Sequence, residues 1–169
     1  MSTSGEYYDS IAPGYVRLHG EEQRSKLKEI ATKLTVKKTD RVLSVGCGPC
    51  FAIDVWPVPS ACAEIVGVDP SKELIAQARK RGVGKAIVCR AEDMMIHKDE
   101  IGTDFDIIIS LTAVQNFDDV DTGLSNMEAL GKDRFVISYL KRASKAKQID
   151  TAIERLFEVI ERVEQNFDI

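Results

Sequence analysis

Apolar residues in this chain fall into short runs separated by amphipathic stretches. Arg41-Val-Leu-Ser-Val45 is a mostly apolar, β-branched run that ends in glycine, the pattern of a buried strand. Glu64–Val68, Lys85–Cys89, Asp106–Ser110 and Arg134–Tyr139 repeat it. The run at 106–110 is almost uniformly apolar, as a central parallel strand should be. Between the runs, Lys72–Arg81 places Leu74, Ile75 and Ala78 on one helical face, with Ser71 as N-cap and Gly82 as C-cap. Val120–Leu130 reads as another helix. Upstream, Leu27, Ile30, Ala31 and Leu34 make one stripe of a helix over Ser25–Leu34, preceded by a lead-in and followed by the polar turn Thr35–Asp40. Strands alternating with helices predict an α/β fold: a doubly wound, mostly parallel sheet with helices on both faces.

The tail admits two readings. Ile149, Ile153, Leu156, Ile160, Val163 and Phe167 keep helical spacing, which predicts one long amphipathic helix. Alternatively the helix ends near Phe157 and Glu158-Val-Ile-Glu-Arg-Val163 is a strand. The 169 residues suit a single domain: residues 1–40 as lead-in and helix, 41–140 as core, and 141–169 as C-terminal helix with or without a last strand.

Composition changes this picture little. Hydrophobic residues are 44% and charged residues 30% of the chain, an ordinary globular balance. No apolar run is long enough to cross a bilayer, and Met1–Glu6 lacks the basic and apolar regions of a signal peptide, so a cytoplasmic location with no membrane association is expected. The net charge of −4 gives no global footprint for nucleic acid, and local basic runs such as Lys141-Arg142 with Lys145 and Lys147 permit an RNA substrate without arguing for one. Cys47 and Cys50 form a C-x-x-C, but further ligands at zinc spacing are lacking. Together with Cys62 and Cys89 they read as free thiols, with no metal site.

The chemistry-bearing segment is Arg41–Cys50, a buried strand running into Gly46-Cys-Gly48. Glycines there let the chain turn sharply and let a ligand approach the backbone. Asp69 ends the second strand, in Val66-Gly-Val-Asp-Pro-Ser71, where a carboxylate can accept hydrogen bonds from both hydroxyls of a ribose. A dinucleotide would want G-x-G-x-x-G, but Cys50 and Phe51 follow Pro49 here, and proline removes an amide from the anion nest. NAD is therefore disfavoured.

Val42–Gly48 resembles motif I of the class I S-adenosylmethionine-dependent methyltransferases, and Gly67–Ser71 resembles their motif II. Arg90-Ala-Glu-Asp-Met94 is similar to motif III, and Asp104–Ser110 to motif IV. Tyr8-Asp-Ser-Ile-Ala-Pro-Gly-Tyr15 resembles the lead-in of the UbiE-like, type 11 branch. The resemblance covers roughly residues 7–140 and implies a Rossmann-like fold, with S-adenosyl-L-methionine as cofactor. By the same resemblance, Val45, Gly46, Cys47 and Gly48 border the methionine moiety. Asp69 holds the ribose, with Pro70 or Ser71 beside the adenine. Ala91 and Glu92 address the adenine ring, Ser110 and Leu111 face the reacting sulfonium, and Tyr8 and Tyr15 form a lid.

This chain departs from the pattern at three places. Ser44 stands where motif I carries an acid, Cys50 where it carries a third glycine, and Arg90 where motif III often carries Asp, which leaves Glu92 or Asp93 for the adenine amine. Loss of one charged hydrogen bond would weaken binding by about 1–3 kcal/mol. Trp56-Pro-Val-Pro59 should cut short the helix after motif I. The family's amino-methylating branch carries N/D-P-P-Y/F after motif IV, whereas Ser110–Phe117 does not. Ala113-Val-Gln115 followed by Phe117 is similar to a stretch of the ribosomal-RNA guanine-N7 methyltransferases, which work with a small zinc-ribbon activator protein.

Three readings follow. The first is a methyltransferase acting on an RNA base or a small molecule; its catalytic residues are not identifiable from the sequence. The second is a cofactor-binding, weakly active subunit that requires or serves a partner, either such an activator or a second copy in a homodimer. The third is another nucleotide-binding domain of the same fold, against which the absent G-x-G-x-x-G argues.

Overall fold

A computed structural model of the chain describes residues 4–164. The five runs form β1 (Arg41–Val45), β2 (Glu64–Asp69), β3 (Lys85–Val88), β4 (Phe105–Leu111) and β5 (Gly131–Ser138). They pair in the order β3-β2-β1-β4-β5, and every pairing is parallel. The chain steps outward from β1 to β3, then crosses back to lay β4 on the other side of β1. That reversal opens a crevice beyond the C-terminal ends of β1 and β4, where open α/β sheets bind their ligands.

Two cores flank the sheet, because successive strand residues point to opposite faces. Leu43, Val45 and Ile108 pack with Leu124 and Met127 of α5 (Val120–Leu130) and Ile149 of α6 (Ala146–Leu156). Val42, Ile107 and Ile109 pack on the other side with Leu27 of α1 (Ser4–Lys33) and with Ile75 and Ala78 of α3 (Lys72–Lys80). Each fully buried large aliphatic side chain contributes about 1.5–3 kcal/mol. Two short helices, α2 (Ala52–Val55) and α4 (Lys98–Ile101), complete the set. As its prolines require, the helix after motif I is cut to α2 and gives way to a loop.

Two segments differ from the pattern-based expectation. The lead-in is not separate from the first helix: α1 is continuous from Ser4, with Pro13 inside it. Contacts across the molecule hold this stretch helical. Asp9 Oδ1 accepts from Ser71 Oγ at 2.5 Å and from Glu73 N at 3.1 Å, and Gln77 Nε2 donates to Ala12 O at 2.8 Å. At the other end α6 stops at Leu156, and residues 157–164 are neither helix nor strand. Phe157 packs on Phe135 of β5, with ring centroids 4.8 Å apart. The chain then doubles back, so that Arg162 bonds Asp150 and Glu154 of α6, and Glu164 bonds Lys141. Phe167, the last residue of the predicted stripe, lies outside the described residues.

Candidate active site

β1 delivers Gly46 and Gly48 into the crevice at φ +64° and +52°, the left-handed region open to glycine. A Cβ at Gly46 would overlap that of Ala113, which arrives on the loop after β4. Cys50 adopts φ +57°, so it keeps a glycine-like backbone although the residue is not glycine.

Asp69 closes β2. Its Oδ2 accepts from Gly48 N at 2.8 Å and its Oδ1 from Ser71 N at 2.9 Å, while only 6% of the residue is exposed. Burial pushes its pKa up to about 6, against the downward pull of the two amides. Each oxygen keeps a further lone pair.

α1 roofs the crevice. The Tyr8 hydroxyl accepts from Asn116 Nδ2 at 2.9 Å, and the Tyr8 and Tyr15 rings meet edge-on at 6.1 Å. Burial raises the pKa of both phenols, which therefore stay protonated at neutral pH. At the far end, Ala91–Asp93 forms a 3-10 turn whose Ala91 and Glu92 carbonyls accept from Asn126 Nδ2 at 3.0 and 2.9 Å. Glu92 Oε1 accepts from Asp119 N at 3.1 Å. Arg90 Nε donates to Asp93 Oδ2 at 2.8 Å, and its Nη1 to Asp118 at 2.9 Å.

These walls border a solvent-open cavity of about 600 Å³, counting the open space at its mouth. Gly46, Asp69, Pro70 and Leu111 line it from the sheet side, Tyr8 and Tyr15 from the roof, and Ala91 and Glu92 from the far end. The other four residues singled out in the sequence do not line it. Val45 belongs to the core, and Gly48 is linked to the cavity through its bond to Asp69. Ser110 is fully buried, its hydroxyl without a partner among the described residues. Cys47 lines a second cavity of about 380 Å³, which shares Tyr15, Gly46 and Leu111 with the first and adds Gln23 and Ser44. Sequence reasoning passed over Leu74, Thr112, Asn116, Phe117 and Asp118 of the larger cavity. For Asn116 and Phe117 the stretch after motif IV carries a signal, but one that bears on substrate class rather than on position, and Leu74 is marked only as part of the inner face of α3.

All four cysteines are free. A hydrogen bond with Cys50, and then burial, raise the Cys47 thiol, and burial lifts Cys89 to about 11, so both are protonated and unreactive. No group of three or more metal-ligating side chains occurs among the described residues, and none of their helices is long and apolar enough to cross a membrane.

A family profile described as a methyltransferase domain matches residues 43–134, more than half of the chain. The ubiquinone biosynthesis O-methyltransferase of Rhodopseudomonas palustris is 26% identical over 107 residues, which are 63% of this chain and 42% of that protein. The chain spans less than half the length of the curated relatives it matches. Among solved structures, magnesium protoporphyrin IX methyltransferase of Synechocystis with bound cofactor superposes with a TM-score of 0.66 at 16% identity, covering 93% of this chain and 80% of that one. A Haloferax volcanii methyltransferase chain, from a complex with the Trm112 methyltransferase activator, superposes with a TM-score of 0.68 at 19% identity, covering 82% and 62%. At these identities the superpositions bear on the fold alone, and it is the same Rossmann-like fold. With the profile match spanning motif I to the start of β5, the chain belongs to the methyltransferase family, in its class I, S-adenosylmethionine-dependent group.

Proposed function

We propose that this domain binds S-adenosyl-L-methionine in the larger cavity and directs its methyl group, by in-line displacement, onto an RNA base or a small-molecule acceptor. Asp69 carries the reading. It is a buried carboxylate pinned by two backbone amides, with one lone pair on each oxygen left for two neighbouring hydroxyls. A buried charge is costly, and a ribose diol offsets that cost with two O–H donors. The crevice, open to solvent on one side, sets backbone glycine, the Asp69 carboxylate and the Ala91–Glu92 turn along one wall, a lining that suits a nucleoside bearing an amino-acid chain. The residues present therefore fit the cofactor.

S-adenosylmethionine supplies a methyl group on a sulfonium, an electrophile with a good leaving group. The protein's part is to bind, align and exclude water. Asp69 holds the ribose and Pro70 packs beside the adenine. Ala91 and Glu92 address the ring; Glu92 serves rather than Asp93, because Glu92 lines the cavity whereas Asp93 lies outside it, paired with Arg90. Gly46 and Gly48, backed by Val45 and Cys47, let the methionine end lie on the backbone. Leu111, with Ser110 behind it, borders the reacting centre, and Tyr8 and Tyr15 close the roof. A nucleophile that arrives with a free lone pair needs no general base.

Calorimetric titration with S-adenosylmethionine, S-adenosylhomocysteine and NAD tests this reading. Micromolar binding of the first two and none of NAD is expected. Asp69→Ala should weaken binding at least about tenfold, the loss of one or more charged hydrogen bonds, and leave the fold intact by circular dichroism. No binding by the wild type, or equal binding by the variant, would refute it.

One observation favours a second reading, in which the domain works with a protein partner. β3 is an edge strand, and Val88 on it, with Met95 and Ile96 beyond, exposes apolar side chains, Ile96 to 80%. A zinc-ribbon activator covering that edge, as a counterpart of the Haloferax complex, would improve solubility and cofactor affinity. Co-expression with such an activator should give a one-to-one complex with tighter S-adenosylhomocysteine binding. Absence of a complex would leave the domain self-sufficient.

A further inference from the structure

Cationic charge is scarce inside the two cavities and concentrated outside them. The larger cavity is lined by one cation, Arg90, already bonded to Asp93 and Asp118. The smaller is lined by none. Beyond β5, however, Lys141, Arg142, Lys145 and Lys147 fall within seven residues, and no acid stands between Asp133 and Asp150, in a chain of net charge −4.

This segment leaves β5 at the same edge of the sheet as the site, because all five strands are parallel. Two bonds fix it to the cavity wall. Thr112 N donates to Ser138 O at 2.9 Å, and Lys145 Nζ donates to Phe117 O. Thr112 and Phe117 both line the larger cavity. Lys26 of α1 reaches the same wall as a buried, paired cation, its Nζ 2.9 Å from Glu22 and 3.0 Å from Thr112 Oγ1. Thr112 itself sits at φ +53°, an outlying conformation for a β-branched residue, of the kind that clusters at functional sites.

The charges also work against local stability. Lys145 is the N-cap of α6 without a side-chain capping bond, and the first turn of α6 contains no acid. Cations there oppose the helix dipole. A local cost retained at the rim of a cavity points to a ligand. Of the neighbouring acids, Asp118 is committed to Arg90, Asp121 to Arg155 and Asp119 to capping α5, while Glu164 pairs with Lys141 of the segment itself. Arg142 and Lys147 are exposed.

We propose that this rim binds the phosphodiester backbone of a single-stranded nucleic acid, which presents a base at the cavity as methyl acceptor; the acceptor role rests on the methyl-transfer reading above. A phosphorylated metabolite small enough to sit in the cavity would call for cations converging inside it. The cations here lie outside, spread along the surface, as a backbone track does. Tyr7, 56% exposed and edge-on to Tyr8 at 5.2 Å, offers an aromatic face on which a base can stack. Through Tyr8 and Asn116 it adjoins the loop that carries Phe117.

The test is fluorescence anisotropy on the full chain, with a labelled single-stranded RNA of about fifteen nucleotides, long enough to cover one site. DNA of the same sequence and inorganic polyphosphate are the comparison arms, and S-adenosylhomocysteine is titrated separately. Binding of RNA, DNA or both is expected, with a log–log salt slope of about −2 for three phosphate contacts. Arg142→Ala with Lys147→Ala should weaken it by about fivefold or more, with S-adenosylhomocysteine affinity unchanged and the melting temperature equal or slightly raised, since a cation leaves the first turn of α6. Failure of both nucleic acids to bind, undiminished binding by the double variant, or equally tight polyphosphate would overturn the proposal. Failure of S-adenosylhomocysteine alone would overturn the acceptor role and the methyl-transfer reading, while the nucleic-acid arms still decide the rim.

Discussion

Asp69 concentrates the conflict between binding and stability in one side chain. Its pKa is raised from 3.8 to about 6, chiefly by burial. The folded chain therefore holds a proton that the unfolded chain gives up at lower pH. The stability that proton confers is complete below the unfolded value and is lost as pH rises through the folded one, an effect of ~3 kcal/mol for a shift of this size. Without ligand, this residue should lower the melting temperature between about pH 4 and pH 6, the window set by its two pKa values. Cofactor binding should run the other way. Hydroxyl donors favour the carboxylate over the acid, so affinity should fall by up to about tenfold per pH unit below about 6. Calorimetry at neutral and acidic pH checks this, and a flat profile would show that Asp69 does not meet the ligand as a carboxylate.

At the scale of elements, what the sequence disclosed depended on how local the deciding interactions are. The strands were legible because a buried parallel strand needs β-branched apolar residues along its whole length, and the runs at 41–45 and 106–110 have few others. α5 was legible in full, since Val120, Leu124 and Met127 keep the inward spacing to Leu130. β5 begins at Gly131 rather than Arg134, because Gly131 pairs with Phe105 across an irregular register that no single-strand pattern encodes. The first half of α1 is not encoded locally, since Pro13 and Gly14 both disfavour a helix interior; its helicity rests on bonds from Asp9 and Ala12 to residues more than sixty positions away. The tail was misleading for the opposite reason. Ile160 and Val163 keep the helical period but are exposed, because Phe157 turns the chain and ion pairs hold it against α6. The site followed the same rule. Gly46 and Asp69 are marked by strand ends, whereas Asn116 and Phe117 reach the cavity through a loop whose path only the packing of β4 and β5 determines.

Across the whole molecule the two faces of the sheet are closed unequally. The α5–α6 face buries Leu124, Met127, Leu130, Ile149 and Ala152 against the strands, and α6 is anchored further by the bond between Tyr139 and Asp150. On the other face, α1 is thirty residues long but buries only Ala12, Gly20, Lys26 and Leu27, and Ala12 and Gly20 carry almost no apolar side chain. Its N-terminal half is tied down by a few polar bonds and by the tyrosines over the cavity. Local opening free energy follows buried contact, so residues 4–20 should open well before the strands do. If α1 is the lid, a ligand beneath Tyr8 and Tyr15 should stabilise that half selectively. Hydrogen exchange followed by mass spectrometry, with and without saturating S-adenosylhomocysteine, reads this directly. Amides of residues 8–19 should slow by about tenfold or more on binding, as expected for a ligand in large excess over its dissociation constant, while those of β1 and β4 change little. Equal slowing everywhere would mean that the ligand stabilises the fold as one unit. No slowing in α1, with binding established by calorimetry, would remove Tyr8 and Tyr15 from the site and leave the helix a structural cover.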